Sequence, residues 1–125
     1  MNFLVIDDER TFTNVGLGFV ADAPHNVNDE HVTYARTSHD GLGLLAKHFV
    51  DYKIKYASAI YLFLDHDLGG DDDIRPVVDF LTVAKVPGIR EIFIHSQNPA
   101  SGDLVKVLSS AGYLVSKITL DNLNL

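Results

Sequence analysis

Cysteine is absent from the 125 residues, which excludes disulfides and zinc-thiolate sites and suits a reducing compartment. No apolar run approaches the ~20 residues of a membrane-spanning helix, and the N-terminus enters an apolar strand at once, with no basic stretch ahead of a hydrophobic one. A soluble, cytoplasmic protein without a membrane partner is the expectation. Positive charge is also scarce: 10 Lys and Arg stand against 17 Asp and Glu, a formal net charge of −7. That balance argues against long duplex DNA or RNA, whose binding rests on neutralising many phosphates. A small phosphorylated ligand stays open, because carboxylates hold a divalent cation and the cation then attracts phosphate. Repeats, low-complexity tracts and linkers are missing too.

Apolar side chains are plentiful. With 46% hydrophobic residues and no long block of like charge, the chain reads as one packed domain over residues 1–125. Its organising stretch runs from Ala59 to Asp73. The run Ile60-Tyr61-Leu62-Phe63-Leu64 has the composition of a strand buried on both faces, and it stops abruptly at Asp65-His66-Asp67, two glycines and three more aspartates. Asn2 to Ile6 is a shorter strand of the same kind, ending at Asp7-Asp8. Val32 to Arg36 is less hydrophobic and suits a sheet edge. Glu91 to Ser96 and Tyr113 to Ile118 supply two more strands.

Between the strands the periodicity is helical. Phe12 to Ala21 predicts a first helix, weakened by Gly16 and Gly18. Thr37 or Ser38 caps a second, with Leu42, Leu44, Leu45, Phe49 and Tyr52 as its buried stripe. A third carries Ile74, Val77, Val78, Phe80, Leu81 and Ala84, with Asp71-Asp72-Asp73 at its positive end. A fourth, from Leu104 to Ala111, closes at Gly112, which permits a left-handed C-cap. Leu120 to Leu125 suits a truncated last helix. Strand-helix alternation of this kind implies an α/β fold, a parallel sheet with right-handed crossovers and helices on both faces.

In such a sheet the C-terminal strand ends share one edge, where ligands bind. Asp7, Asp8, Asp65, His66, Asp67, His95, Ser96, Ser116 and Lys117 all fall there. Asp7 and Asp8 exceed what a turn after a buried strand requires and suit a metal, as does Asp65. Asp67 serves equally as a turn former or a ligand. Ser96 and Asn98 fit either a phosphate contact or a turn. His25, His31, His39 and His48 show no metal spacing and read as surface residues.

Strand then Asp7-Asp8, strand then Asp65, a hydroxyl at Ser96 and Lys117 after Gly112-Tyr113 resemble the receiver domain of two-component signalling. The resemblance covers nearly the whole chain. Asp65-His66-Asp67-Leu68-Gly69 and His95-Ser96-Gln97-Asn98-Pro99 depart from ordinary receivers and resemble the cyclic-phosphate processing receivers. That resemblance implies a three-layer, flavodoxin-like, doubly wound five-stranded parallel sheet in order 2-1-3-4-5. It also implies an acidic magnesium pocket of Asp7, Asp8 and Asp65, with Asp65 at the phospho-acceptor position.

The expected chemistry is displacement at a cyclic phosphate, of a cyclic nucleotide or of an RNA terminus ending in a 2′,3′-cyclic phosphate. Mg²⁺ or Mn²⁺ would be held by Asp7, Asp8, Asp65 and Asp67. His66 and His95 would act as base and acid beside Asp65, while Ser96, Asn98 and Lys117 would contact phosphate. Two alternatives use the same residues: a receiver that accepts phosphate on Asp65, and a sponge that retains a cyclic nucleotide without cutting it.

Overall fold

A computed structural model describes residues 2–8, 32–55, 57–95 and 98–118. In chain order these residues form β1 (Phe3–Ile6), β2 (Val32–Ala35), α1 (Ser38–Lys53), β3 (Ile60–Leu64), α2 (Arg75–Ala84), β4 (Ile89–His95), α3 (Ser101–Ser110) and β5 (Val115–Ile118). The strands make one five-stranded sheet in the order β2-β1-β3-β4-β5, and every neighbouring pair is parallel. The expected architecture is therefore present. The helices predicted at Phe12 to Ala21 and Leu120 to Leu125 lie outside the described residues, as does Ser96.

Strand alternation divides the apolar side chains between two faces. Leu4, Ile6, Leu62, Leu64, Ile92 and Ile94 point to one side and share a core with Leu45 of α1, Val77 and Leu81 of α2 and Leu108 of α3. The alternate residues form an aromatic row on the other side. Phe3 stacks on Tyr61 at 5.4 Å between ring centroids and Phe63 on Phe93 at 5.0 Å, and all four rings are buried. Central strands covered on both faces account for their nearly unbroken hydrophobic runs.

α1 meets β1 at Gly41. A Cβ at Gly41 would stand 2.6 Å from Ile6 Cδ1, so a side chain there would require the Ile6 tip to shift. The buried stripe is Gly41, Leu45 and His48, while Leu42, Leu44, Phe49 and Tyr52 are only half-buried. His48 is thus a core residue, in contrast to the surface placement expected from its spacing. The α1 N-terminus is closed by Thr37, whose hydroxyl accepts from the Asp40 amide, and by a more distant group. The Asp72 carboxylate accepts from the Ser38 amide at 2.9 Å and from the Ser38 hydroxyl at 2.5 Å.

The aspartate run therefore serves two helices, whereas its sequence position suggested one. Asp72 caps α1, and Asp73, one residue ahead of the α2 N-cap, accepts from the Arg75 amide at 2.9 Å. The Arg75 guanidinium also bonds the Asp73 carboxylate, 2.7 Å from its Oδ2, and holds the Asp73 pKa below the ordinary carboxylate value. The cap predicted at Gly112 is present: its φ is +101°, and the next amide, of Tyr113, bonds back to Leu108.

Candidate active site at the carboxyl edge of the sheet

Register carries the strand ends into a row. Ile6 lies opposite both Ala35 and Leu64, and Leu64 lies opposite Ile94, so the next residues, Arg36, Asp7, Asp65 and His95, stand side by side across four strands. Two ladder bonds extend past the strands and pin this row: the Asp7 amide donates to Ala35 O at 3.0 Å and the Asp65 amide to Ile6 O at 2.9 Å. Asp8 stands one residue further on. Carboxylate oxygens of Asp7, Asp8 and Asp65 all lie within 4.8 Å of one another. Three clustered carboxylates make a hard, all-oxygen donor set, the kind that Mg²⁺ and Mn²⁺ prefer over softer ligands.

The loop after β3 passes beside Asp8. The Leu68 amide bonds Asp72 O, the Asp72 amide bonds Gly69 O, and the Ile74 amide bonds His66 O, which folds residues 66–74 into a tight reversal anchored by buried Leu68. Gly69 has φ +87°, and a Cβ there would stand 3.1 Å from Asp8 Oδ2. Glycine is needed twice, for the left-handed backbone and for room beside the carboxylate.

His95 and Asp7 form a pair with no exposed side-chain surface, their Nε2 and Oδ2 2.9 Å apart. The carboxylate can only accept, so His95 Nε2 carries a proton. With no surface of its own, His95 acts on anything in the cleft through Asp7. His66 is arranged differently. Its Nδ1 lies 3.2 Å from Asp67 Oδ1, and the Asn98 amide nitrogen lies 3.3 Å from the same oxygen. Asn98 is oriented by its own Oδ1, which accepts from the Ala100 amide at 2.9 Å. The Asn98 amide nitrogen also lies 3.3 Å from His66 Nδ1, so His66, Asp67 and Asn98 form one polar cluster at the ends of β3 and β4.

The structure therefore joins Asp7, Asp8, Asp65, His66, Asp67, His95 and Asn98 along one edge. Asp67 engages His66 and Asn98, and its carboxylate is not among the three that converge. Asn98 likewise bonds within the site, bridging the β3 and β4 ends. Lys117 falls one residue short of the row, opposite Ile94, where it is exposed. Among the described residues it pairs with none of the site carboxylates.

Arg36 escaped the sequence reading. It donates from Nη1 to Asp7 O at 3.0 Å and lies 4.9 Å from the Tyr34 ring centroid, which brings a cation to the rim of the acidic cluster. The signal was available, since Arg36 follows a strand just as Asp7 and Asp65 do. Comparison with known proteins gives one match: the family described as cyclic-phosphate processing receiver domain, over residues 2–110. No curated protein and no solved structure matches the chain.

Proposed function

The chain belongs to the cyclic-phosphate processing receiver domains, and from that premise we propose that it is a metal-dependent phosphoesterase that opens a cyclic phosphate. The observation that carries this reading is the convergence of Asp7, Asp8 and Asp65 within 4.8 Å, with His66 following Asp65 at the same strand end. Bound there, Mg²⁺ or Mn²⁺ supplies Lewis-acid neutralisation of the phosphate oxygens. His66 Nε2 takes a proton from the water that attacks phosphorus, and Asp67 steadies the resulting imidazolium through Nδ1. The P–O bond to one ring oxygen breaks, that oxygen is protonated from solvent, and a phosphomonoester or linear product leaves. His95 fixes the Asp7 carboxylate, and Arg36 offers the incoming anion a fixed positive charge at the rim. The substrate class is a cyclic nucleotide or an RNA end bearing a 2′,3′-cyclic phosphate.

The test is a panel of cyclic mononucleotides, cyclic dinucleotides and RNA ending in 2′,3′-cyclic phosphate, with products followed by mass spectrometry for the gain of one water. Hydrolysis should require divalent cation and fall by about 10²-fold or more in His66→Ala, the usual loss when a general base is removed. Acetyl phosphate supplies the contrast. Stable labelling of Asp65 with every cyclic phosphate intact would make the protein a phospho-accepting receiver instead. Tight retention of one cyclic nucleotide without product would make it a sponge.

A further inference from the structure

The turn from β2 into α1 reaches both sides of the acidic cluster. Ahead of the helix, Arg36 donates from Nη1 to the carbonyl of Asp7 at 3.0 Å. Two residues on, Ser38 donates twice to the Asp72 carboxylate, from its amide at 2.9 Å and from its hydroxyl at 2.5 Å. Ser38 is buried, where an unmade hydrogen bond is costly. Asp72 is built into the loop after β3 through its backbone. Its amide donates to Gly69 O at 3.0 Å, and its carbonyl accepts from the Leu68 amide at 3.1 Å.

Those bonds lead to Asp8. Gly69 lies so near the Asp8 carboxylate that a Cβ there would stand 3.1 Å from Oδ2. Ser38, Asp72, Gly69 and Asp8 are therefore neighbours in turn, from the start of a helix to the acidic cluster. Capping alone does not call for this arrangement. Thr37 already accepts from the Asp40 amide, and a cap is ordinarily supplied by a residue beside the helix. Asp72 comes from 34 residues away and belongs to the loop that passes the site.

We propose, resting on the cation reading given above, that Ser38 is a positioning residue: by tethering Asp72 it holds the loop of residues 66–74 beside Asp8 and keeps the carboxylates ready for a divalent cation. Three carboxylates within 4.8 Å of one another repel. Asp7 and Asp65 are buried, whereas Asp8 is only half-buried, so Asp8 has the most room to swing away. A loop fixed at Gly69 limits that swing. Ligands held in place before binding lose less freedom when the cation arrives, which tightens its affinity.

The experiment compares the whole chain with Ser38→Pro, Ser38→Ala and Ser38→Thr, none of which alters charge. Ser38 is the first residue of α1, where proline is tolerated, and Thr37 ahead of it has φ −135° and ψ 161°, the extended backbone that a following proline favours. Proline removes both donors to Asp72, alanine removes the hydroxyl alone, and threonine keeps both. Mn²⁺ binding is read by electron paramagnetic resonance, and metal-free hydrogen exchange reads the Leu68 and Asp72 amides. The Mn²⁺ Kd should rise by about 10-fold or more in Ser38→Pro and by less in Ser38→Ala, while Ser38→Thr stays within about twofold of the parent. Loop exchange should quicken in the same order, with the amides of β3 unchanged. A parent that binds no Mn²⁺ overturns the cation reading and this proposal with it, a failure visible before any variant is made. A parent that binds while Ser38→Pro and Ser38→Ala keep its Kd overturns the positioning role alone and leaves Asp72 a helix cap. Ser38→Thr binding no better than Ser38→Ala overturns it too. Should Ser38→Pro not fold, Ser38→Ala decides: a Kd raised beyond about twofold supports the role, and one within that range overturns it.

Discussion

Replacing His95 with phenylalanine should take a buried hydrogen bond from the Asp7 carboxylate, and the size of the penalty follows from the pair's geometry. His95 and Asp7 have no exposed side-chain surface and meet at 2.9 Å. Phenylalanine keeps most of the ring volume, so the loss falls on the hydrogen bond to Asp7. A hydrogen bond to a charged group contributes ~1.5–3 kcal/mol, and breaking a buried pair from one side costs ~3–5 kcal/mol. A cost of about 2–4 kcal/mol is expected here. For a chain of this length that lowers the melting midpoint by roughly 10 °C, at ~3–5 °C per kcal/mol. Urea unfolding of the parent, His95→Phe, Asp7→Asn and the double variant completes a thermodynamic cycle. Once Asp7→Asn has removed the buried charge, losing His95 should cost at least ~1.5 kcal/mol less than in the parent, because removing both partners is cheaper than removing one. Costs that add within about 0.5 kcal/mol would refute the pairing argument.

Two further outcomes are expected. Millimolar Mg²⁺ or Mn²⁺ should raise the melting midpoint of the parent by mass action. Asp8→Asn should abolish that rise, and Gly69→Ala should reduce it, because its Cβ would stand 3.1 Å from Asp8 Oδ2; an undiminished rise in both variants would place the cation elsewhere. Tyr113→Phe should cost about 1–3 kcal/mol at neutral pH, since the phenol both donates to Leu81 O and accepts from the Val86 amide at 2.7 Å. Burial raises the Tyr113 pKa above 10.0, so the folded state holds the proton more tightly. That contribution is complete below pH 10 and is lost as pH rises through the raised value, and the alkaline decline should be shallower in the variant.

Most of the architecture was legible in the chain because burial on both faces leaves an unmistakable record. Ile60 to Leu64 has no polar residue to spare for solvent, and the aspartates begin where the strand leaves the core. Strand-helix alternation then brings the tips to one edge, so Asp7, Asp8, Asp65, His66 and His95 could be named before any distance was known. Gly112 could be read too, because its role is local: a backbone angle that other residues resist.

What pairs with what was decided only by the tertiary structure. Asp72 looks like a helix start for the segment that follows it, yet its carboxylate closes α1, 34 residues back along the chain. His48 looks like a surface histidine until α1 meets Ile6 at Gly41 and carries the imidazole down to the carbonyls of Pro87 and Gly88. His66 and His95 look alike as strand-tip histidines. Their partners separate them, setting one ring beside Asp67 and Asn98 and sealing the other behind Asp7. Residue type and periodicity report whether a position faces water or core, because that preference acts on each side chain singly. Partner and depth depend on the register between strands and on how closely a helix approaches the sheet, and these are properties of segments far apart in the chain.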